Sequence, residues 1–351
     1  MLSHSSMAQL SECGTRTGKT PIVVDTSLYR LDVLAPQYIM KIFVHVIAND
    51  NGLLRAVADS SVFRQLENMR QFYAPQNICF ILAGIEQINS TDLNTHNTST
   101  EEAELLPFMV PGVLNIFIHR DLFDSKGSLN GMAYQIPNYY MSVSAAAIES
   151  IDNRSTTAHE MGHCLGLYHT FETAFGTEEI PRAGACLNCS TTGDLLCDTE
   201  ADPHSDTYDT GNWITADCDF IGTRTRDCLG TTYTYNMNPH NIMAYGRRAC
   251  RDVFTSGQGS RARAIINLNA FLTNRIAAED LNVTSSSNIS SGITNYVARN
   301  TVQISAPSFV VSNTARLNLV STGSVVLMPG VTLAPTGADA YASVTISTLC
   351  Q

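Results

Sequence analysis

Residues 158–170 read AHEMGHCLGLYHT and carry the most specific pattern in the chain. His159 and His163 stand four residues apart, so on a helix they project from the same face. Gly166 can adopt a positive φ, which ends the helix and turns the chain back. His169 follows that turn. The spacing therefore predicts that three imidazoles meet at one point.

Three neutral imidazoles are a typical donor set for zinc, and three protein ligands leave one position open, as catalytic sites require. Glu160 lies beside the first histidine, where it can act on a water that zinc activates at neutral pH. The alternative is a buried helix whose histidines only pack. That alternative leaves clustered polar groups without partners, which is costly. The pattern thus favours metal-dependent hydrolysis.

The composition is that of a folded protein. The 351 residues suffice for two domains of about 100–200 residues each, and 44% of them are hydrophobic. With 21 basic and 32 acidic residues, the net charge is −11. No run of Lys or Arg supplies the basic surface that a nucleic acid needs. No apolar stretch approaches the roughly 18–20 residues of a membrane-spanning helix.

Ten cysteines need an explanation, and six of them fall between residues 186 and 250. Disulfides in an oxidising compartment explain this crowding and predict secretion. A zinc knuckle at Cys186-Leu-Asn-Cys189 is the alternative, but no second closely spaced pair follows it. The N-terminus shows neither the basic nor the apolar region of a signal peptide.

Composition divides the chain into three parts. Residues 1–35 are largely polar and are expected to be a leader or prosegment. Residues 36–276 alternate strand and helix patterns and contain the histidine motif. Residues 277–351 are rich in Ser, Thr, Asn, Val and Ala with short alternating segments, which predicts a small all-β module.

Within the central part, hydrophobic periodicity predicts individual elements. The expected strands are 38–47, 77–83, 113–119 and an edge strand at 131–136; the expected helices are 59–73, 157–167 and 257–273. A polar loop is expected at 88–100 and a cysteine-bearing irregular segment at 170–250. The predicted class is α+β: a twisted mixed sheet with an active-site helix, an irregular disulfide-bearing lower subdomain, and the β module.

The HExxHxxGxxH pattern from His159 to His169 resembles that of the metzincin metallopeptidases. Their second mark is a methionine turn beneath the metal, and Asn241-Ile-Met243-Ala-Tyr245 resembles it. A lone methionine is a weak signal. Its place before a tyrosine and after the long irregular segment strengthens the resemblance, which implies a metzincin-type catalytic domain.

Further features resemble the pappalysin, or cytophagalysin, family over roughly residues 36–275. The matching segments are Leu-Tyr-His-Thr-Phe ending at Phe171, the G-D-x-x-x-D-T loop from Gly193 to Thr199, Cys250 after the methionine turn, and Phe254-Thr-Ser-Gly-Gln258. This resemblance distinguishes the chain from other metzincin branches, which remain a second interpretation.

The resemblance implies a role for each matching residue. His159, His163 and His169 bind zinc, and Glu160 polarises the water and passes its proton to the leaving amine. Tyr245 helps to stabilise the oxyanion. The strand Gly131-Met132-Ala133 pairs with the substrate backbone.

The same resemblance suggests a structural cation and disulfide pairings. Asp194, Asp198 and Thr199 fall in a loop that binds calcium in family members; a plain Asx-turn loop is the alternative. The implied disulfides are Cys218–Cys250, and Cys228 with either Cys186 or Cys189. Cys79 and Cys164 are expected to be buried thiols or a pair with each other.

Two further expectations concern regulation and specificity. Some family members keep the zymogen latent through a leader cysteine on the zinc, and Cys13 is the candidate here; a disulfide to Cys350 or a free surface thiol is the alternative. Ulilysin-like members have a carboxylate at the floor of the pocket for the residue after the scissile bond. Arg248 stands at that position here, which predicts loss of an arginine preference.

Together these observations predict a secreted zinc endopeptidase that cleaves internal peptide bonds through a zinc-bound water. Its partners are protein or peptide substrates, with no nucleic acid and no membrane span. Zinc is expected as the catalytic cofactor and calcium as a structural one. An adhesion or binding protein on the same fold is the rival, and the intact Glu160 speaks against it.

Overall fold

The structure is a computed structural model that describes residues 11–29, 37–202, 214–221, 228–230, 238–348 and 350. Residues 1–10 and 30–35 of the predicted leader lie outside the described part. Among the described residues, no helix combines the length and the apolar character needed to cross a membrane.

Sixteen strands and seven α-helices are found in the described residues. The strands are β1 Ser11–Cys13, β2 Tyr38–Ala48, β3 Ile78–Asn89, β4 Thr95–Asn97, β5 Leu114–His119, β6 Asp121–Asp124, β7 Gly127–Ala133, β8 Tyr140–Ser144, β9 Ala278–Val283, β10 Ser287–Ile289, β11 Ile293–Ile304, β12 Phe309–Asn313, β13 Arg316–Ser321, β14 Ser324–Leu327, β15 Val331–Pro335 and β16 Tyr341–Ile346. The helices are α1 Asp59–Tyr73, α2 Thr91–Asn94, α3 Glu102–Leu105, α4 Ala145–Glu149, α5 Thr156–Cys164, α6 Ser256–Leu268 and α7 Ala270–Thr273. Single 3₁₀ turns occupy Thr26–Tyr29, Ala74–Gln76 and Leu106–Phe108.

The central sheet has the strand order β3-β2-β5-β8-β7-β6-β4. Strands β3, β2, β5 and β8 run parallel, whereas β7 is antiparallel to β8 and, through Gly127 and Ser128, to β6. Beyond the contact with β6, the same side of β7 forms a rim, and the leader strand β1 pairs with it in parallel orientation at Leu129 and Gly131. A central sheet of mixed strand direction together with few helices confirms the predicted α+β class.

Alternation along β2 explains how the sheet is covered on both faces, since successive side chains of a strand point to opposite sides. Met40, Ile42 and Val44 pack towards α1, α5 and α6 in the main hydrophobic core. Ile39 and Phe43 face the other way and pack against Val297, Val320 and Cys350 of the C-terminal part. The histidine helix and the C-terminal part therefore lie on opposite faces of one sheet.

The C-terminal strands form a coil whose described strand pairs are all parallel. Ile293 pairs with Arg316, which pairs with Tyr341, so each of these strands lies beside the strand of the next turn of the coil. Phe309 and Leu317 are fully buried inside the coil. The all-β prediction for this part is confirmed, and we call residues 278–346 the C-terminal coil.

A partly buried polar chain and a disulfide join this coil to the central sheet. Arg316 of the coil donates to Glu86 of β3 at 2.6 Å, and the other oxygen of Glu86 lies 2.8 Å from Nδ1 of His45. His45 is fully buried and stacks on Phe117 with ring centroids 4.3 Å apart. The Cys79–Cys350 disulfide holds the end of the chain against β3.

Several local expectations are corrected. The polar loop expected at 88–100 contains the end of β3, the helix α2 and the strand β4. The C-terminal helix expected at 257–273 divides into α6 and α7, because Asn269 adopts an extended conformation between them. Cys79 pairs with Cys350 and not with Cys164, which is a free buried thiol, and the suggested Cys13–Cys350 pair is likewise absent.

Candidate active site

Helix α5 and the turn after it bring the histidine motif together. His159 and His163 lie on one face of α5, which ends at Cys164. Gly166 has φ of 88°, as the turn requires, and a Cβ at this position would come within 2.7 Å of the Ile265 side chain. Glycine thus serves both the left-handed turn and the close packing of α6. Beyond the turn, the chain returns His169 to the same point.

The three imidazoles converge through their Nε2 atoms. These atoms lie 3.2 Å apart between His159 and His163, 3.2 Å between His159 and His169, and 3.1 Å between His163 and His169. All three side chains are buried. On the far side of the rings, Nδ1 of His159 lies 2.7 Å from the Ile242 carbonyl, and Nδ1 of His163 lies 2.8 Å from the Leu167 carbonyl.

These contacts determine the protonation of His159 and His163. A carbonyl oxygen only accepts, so each Nδ1 carries the proton and each Nε2 presents a lone pair. Burial lowers the pKa of His163 to about 4 and holds that of His159 well below its usual value, so both rings are neutral. Nitrogen lone pairs at such separations repel one another unless a cation lies between them. The donor set therefore fits zinc.

Glu160 is fully buried above this cluster. Its Oε2 accepts hydrogen bonds from the Thr15 hydroxyl and the Ala133 amide, both at 3.1 Å, and from the Cys13 thiol at 3.3 Å. Burial raises its pKa to about 8, although these hydrogen bonds act in the opposite direction. Its Oε1 has no hydrogen-bond partner among the described residues. A Cβ on Gly131 would collide with the Glu160 side chain at 2.5–2.9 Å, so β7 needs glycine there.

The methionine turn lies beneath α5. Met243 is fully buried, and a Cβ on Gly162 would come within 2.5 Å of its sulfur, so the two residues are in close contact. The rings of His169 and Phe171 stack on each other, and Tyr245 packs against both in an edge geometry, at centroid distances of 5.1 and 4.6 Å. Its hydroxyl donates to the backbone carbonyl of Cys13 at 3.3 Å. The Tyr245 hydroxyl thus points to a carbonyl group that lies over the histidine cluster.

The leader occupies the cleft over this cluster. In β1, Ser11 pairs with Leu129 and Cys13 with Gly131, and the Gly14 amide donates to the Gly131 carbonyl at 2.9 Å. The sulfur of Cys13 and the ligand atoms of the three histidines all lie within 4.8 Å of one another. Burial is the main cause that raises the pKa of the Cys13 thiol, and the nearby Glu160 adds to it.

The loop of Gly193 to Thr199 keeps Asp194 in contact with Thr199 but gives Asp198 other partners. Asp194 is buried; its Oδ1 accepts from the Leu196 amide and the Thr199 hydroxyl, both at 3.0 Å, while its Oδ2 has no hydrogen-bond partner in the described chain. Asp198 instead accepts from the Gly257 amide at 2.6 Å, at the N-terminus of α6. Its carboxylate satisfies that helix end.

The disulfides of the irregular segment agree with the implied pairings where these were specific. Cys218 is bonded to Cys250, and Cys228 to Cys186. Cys189 pairs with Cys197, a pairing that the resemblance does not imply. Because Cys186 and Cys189 are both in disulfides, neither is available as a zinc-knuckle ligand. Arg248 is half-buried, and the neighbouring Arg247 donates from Nε to the Ile214 carbonyl at 2.7 Å.

Two polar residues near these sites carry no sequence signal. Thr15 is buried beside Glu160 and also accepts from the Ala133 amide at 2.8 Å. Glu178 is buried beside Asp194 and pairs with Arg182 at 2.8 Å. Burial and then the Asp194 charge raise the pKa of Glu178 to about 8, and burial raises that of Asp194 to about 7. The place of either residue beside its site is evident only from the tertiary contacts.

Comparison with known proteins agrees with this geometry. Residues 112–267, which include the histidine motif and the methionine turn, match the family model described as pregnancy-associated plasma protein-A. Residues 112–267 therefore carry a pappalysin-type domain. This match supports the zinc metallopeptidase that the sequence predicted.

The chain is also similar to individual proteins that are named proteases. An extracellular metalloprotease of Neurospora crassa is 25% identical over 242 residues, which are 65% of this chain and 74% of the relative. Human pappalysin-1 is 32% identical over 118 residues, which are 32% of this chain and 6% of that protein. A structure of mature mirolysin from Tannerella forsythia with a cleaved peptide covers 68% of this chain and 94% of its own, at 21% identity and a TM-score of 0.47.

Proposed function

We propose that this protein is a secreted endopeptidase in which His159, His163 and His169 hold zinc and Glu160 is the catalytic base. The observation that carries the proposal is the convergence of three buried Nε2 atoms beneath a buried carboxylate. When bound, zinc supplies a Lewis acid that lowers the pKa of a water towards about 7. The rest of the chemistry belongs to side chains of this chain.

Glu160 moves the proton in the proposed reaction. Once Cys13 and Thr15 leave, its Oε2 keeps the Ala133 amide as a donor, which holds the carboxylate in place. The carboxylate then accepts a proton from the attacking water and delivers it to the departing amine. Tyr245 donates to the carbonyl oxygen as negative charge develops there, as it now donates to the Cys13 carbonyl.

The substrate is proposed to lie along the rim of β7. The leader uses this rim in extended form, through the Gly14 amide and the Gly131 carbonyl, and it passes over the histidine cluster from Ser11 to Thr15. Because this cleft accommodates extended chain on both sides of the histidine cluster, it suits a substrate that is cleaved at an internal peptide bond. We infer that a substrate pairs antiparallel to Gly131, Met132 and Ala133 by strand addition.

The leader is proposed to keep the enzyme latent. Cys13 places its sulfur among the ligand nitrogens, where a thiolate serves as a fourth zinc ligand. Thr15 blocks the carboxylate that the reaction needs. The parallel pairing of β1 also runs opposite to the direction proposed for a substrate. These three contacts support a zymogen.

A structural calcium ion is proposed at Asp194 and Glu178. Two adjacent buried carboxylates with raised pKa values and an oxygen without a partner fit a hard cation. Thr199 orients Asp194, whereas Asp198 is taken up by the end of α6. We expect a calcium-selective chelator to lower the melting temperature of the wild type, and to have no such effect on Asp194→Asn.

Secretion is proposed from the disulfides. Cys79–Cys350, Cys186–Cys228, Cys189–Cys197 and Cys218–Cys250 are joined in the structure. Disulfides persist in oxidising compartments, and the Neurospora relative is named extracellular. The protein should be recovered oxidised from the culture medium.

The decisive experiment compares Glu160→Ala with Glu149→Ala, an exposed carboxylate on α4, after removal of the leader. Loss of the base should lower the rate of casein cleavage by at least about 10²–10⁴-fold while zinc content is unchanged. The Glu149 variant should match the wild type. Mass spectrometry of the products should show cuts inside the casein chain. An active, zinc-loaded Glu160→Ala enzyme would refute the mechanism.

A further inference from the structure

The described leader touches the rest of the protein in two separate places. Residues 11–15 lie along β7 and over Glu160. Residues 22–29 pack against α6 and Tyr168, ending in the 3₁₀ turn Thr26–Tyr29. Between these places, Arg16, Gly18, Lys19 and Thr20 are exposed, and Thr17 touches Glu172 through its hydroxyl.

Arg261 of α6 binds the start of the second leader segment, at Ile22. It is 2% exposed and lies over the Tyr168 ring, 4.7 Å from its centroid. Its Nε donates to the Gly166 carbonyl at 2.7 Å, and its Nη2 donates to the Ile22 carbonyl at 2.8 Å. The Ile22 amide in turn donates to the Tyr168 hydroxyl at 3.1 Å. The leader thus completes the partners of a buried cation.

Arg263 of α6 binds the end of the same leader segment, at Tyr29. It is also 2% exposed; its Nε donates to the Tyr29 carbonyl at 2.9 Å, and Nη2 donates to the same oxygen at 2.5 Å. Its Nη1 donates to the Gln76 carbonyl at 2.6 Å. Removal of Ile22 and Tyr29 would leave two buried guanidinium groups short of acceptors, and buried unpaired charge is strongly destabilising.

We propose that activating cleavage falls within residues 16–20 and that residues 21–29 remain as a permanent part of the mature catalytic domain. This rests on the latency proposed above, and it divides the predicted 1–35 leader in two. Exposed segments that lack fixed backbone contacts are the preferred sites of proteolysis. The bonds after Arg16 and Lys19 suit a protease that requires a basic residue. Hydrolysis of either bond adds one water and leaves a new amino group on Thr17 or Thr20.

The test uses the full chain carrying Glu160→Ala, so that self-cleavage is absent. Brief trypsin digestion should give Thr17 or Thr20 as the new N-terminus, read by sequencing and intact mass. The Arg16→Gln, Lys19→Gln double variant should slow this cut by at least about 10²-fold, because trypsin depends on the basic side chain. Arg120→Gln, another exposed position, should not. Subtilisin, which needs no basic residue, should also cut within 16–20.

Hydrogen exchange on the same uncut protein gives a second measurement. Amides of residues 22–29 should exchange more slowly than those of 16–20. A first cut within 21–29 or after Arg30, or equally fast exchange in both segments, would overturn the proposal. Neither measurement needs peptidase activity. A protein that fails to cleave casein would therefore refute the proposed function without affecting this result.

Discussion

His96 shows how burial at a single residue makes stability depend on pH. The side chain is fully buried, stacks on His119 at 4.6 Å, and has its Nε2 2.8 Å from the Tyr134 hydroxyl. Burial lowers its pKa from the usual 6.5 to about 4. The unfolded chain therefore binds a proton at higher pH than the folded chain does, and protonation favours unfolding.

His96→Gln should remove this contribution while keeping a partner for Tyr134. The wild type should lose stability relative to the variant as the pH falls from about 6.5 to 4, by up to about 3 kcal/mol. Urea unfolding across that range measures the difference. His240→Gln, at a half-exposed histidine, is the control. Parallel stability profiles for the wild type and His96→Gln would contradict the prediction.

Arg248 concerns specificity at a single position. We predict that the wild type shows no preference for Arg or Lys after the scissile bond, because the sequence resemblance assigns Arg248 to the position of a pocket carboxylate and a cation there would repel a basic side chain. Arg248→Asp should create that preference by about tenfold or more through a charge-assisted contact. Cut sites in a peptide library provide the measurement, with Arg299→Asp in the C-terminal coil as control. A basic preference in the wild type would show that another carboxylate lines the pocket.

Strand β1 and the two residues after it form the segment on which the proposed latency depends. This segment combines edge pairing with β7 and two side-chain contacts to the Glu160 carboxylate, from Cys13 and Thr15. None of these contacts alone would seal a cleft, because each is weak in isolation. Together they hold a short segment over the histidine cluster and Glu160.

Cys13→Ala should make the uncut full chain active, because the sulfur no longer competes for the metal. We expect uncut wild type to be inactive, and Ser27→Ala, a leader substitution distant from the cluster, to be inactive as well. Casein cleavage is measured together with intact mass to show that the leader is still attached. Full activity of the uncut wild type would remove Cys13 from any role in latency.

The strands show why some elements could be predicted and others could not. Strand β2 is long and rich in β-branched and aromatic residues, so its hydrophobic pattern is clear. Strand β8 lies in the middle of the sheet, but its sequence YMSVS carries two buried serines and no obvious pattern. Its place depends on pairing with β5 and β7, which the local sequence does not show.

The whole molecule is held together across the central sheet. The Cys79–Cys350 disulfide and the Arg316–Glu86 pair attach the C-terminal coil to the face opposite α5. The coil therefore supports the sheet from behind and makes no contribution to the histidine cluster. This arrangement predicts that stability and catalysis respond separately to changes at the coil.

Replacement of both Cys79 and Cys350 by alanine should lower the stability by about 2–5 kcal/mol, because the cross-link restricts the unfolded chain. The value of kcat/KM on casein should stay close to that of the wild type. Thermal unfolding and limited proteolysis measure the effect, and the coil should be digested first. An unchanged melting temperature, or a large loss of activity in a folded variant, would contradict this arrangement.

The chemistry of the histidine motif could be predicted from sequence because it is local. Helical geometry relates His159 to His163, and glycine at position 166 permits the turn that returns His169. Other contacts join residues that are distant along the chain: Thr15 with Glu160, Glu178 with Asp194, and Cys79 with Cys350. Spacing carries no information about such pairs, since loop closure can join almost any two points. Packing of the sheet against α5, α6 and the coil selects them.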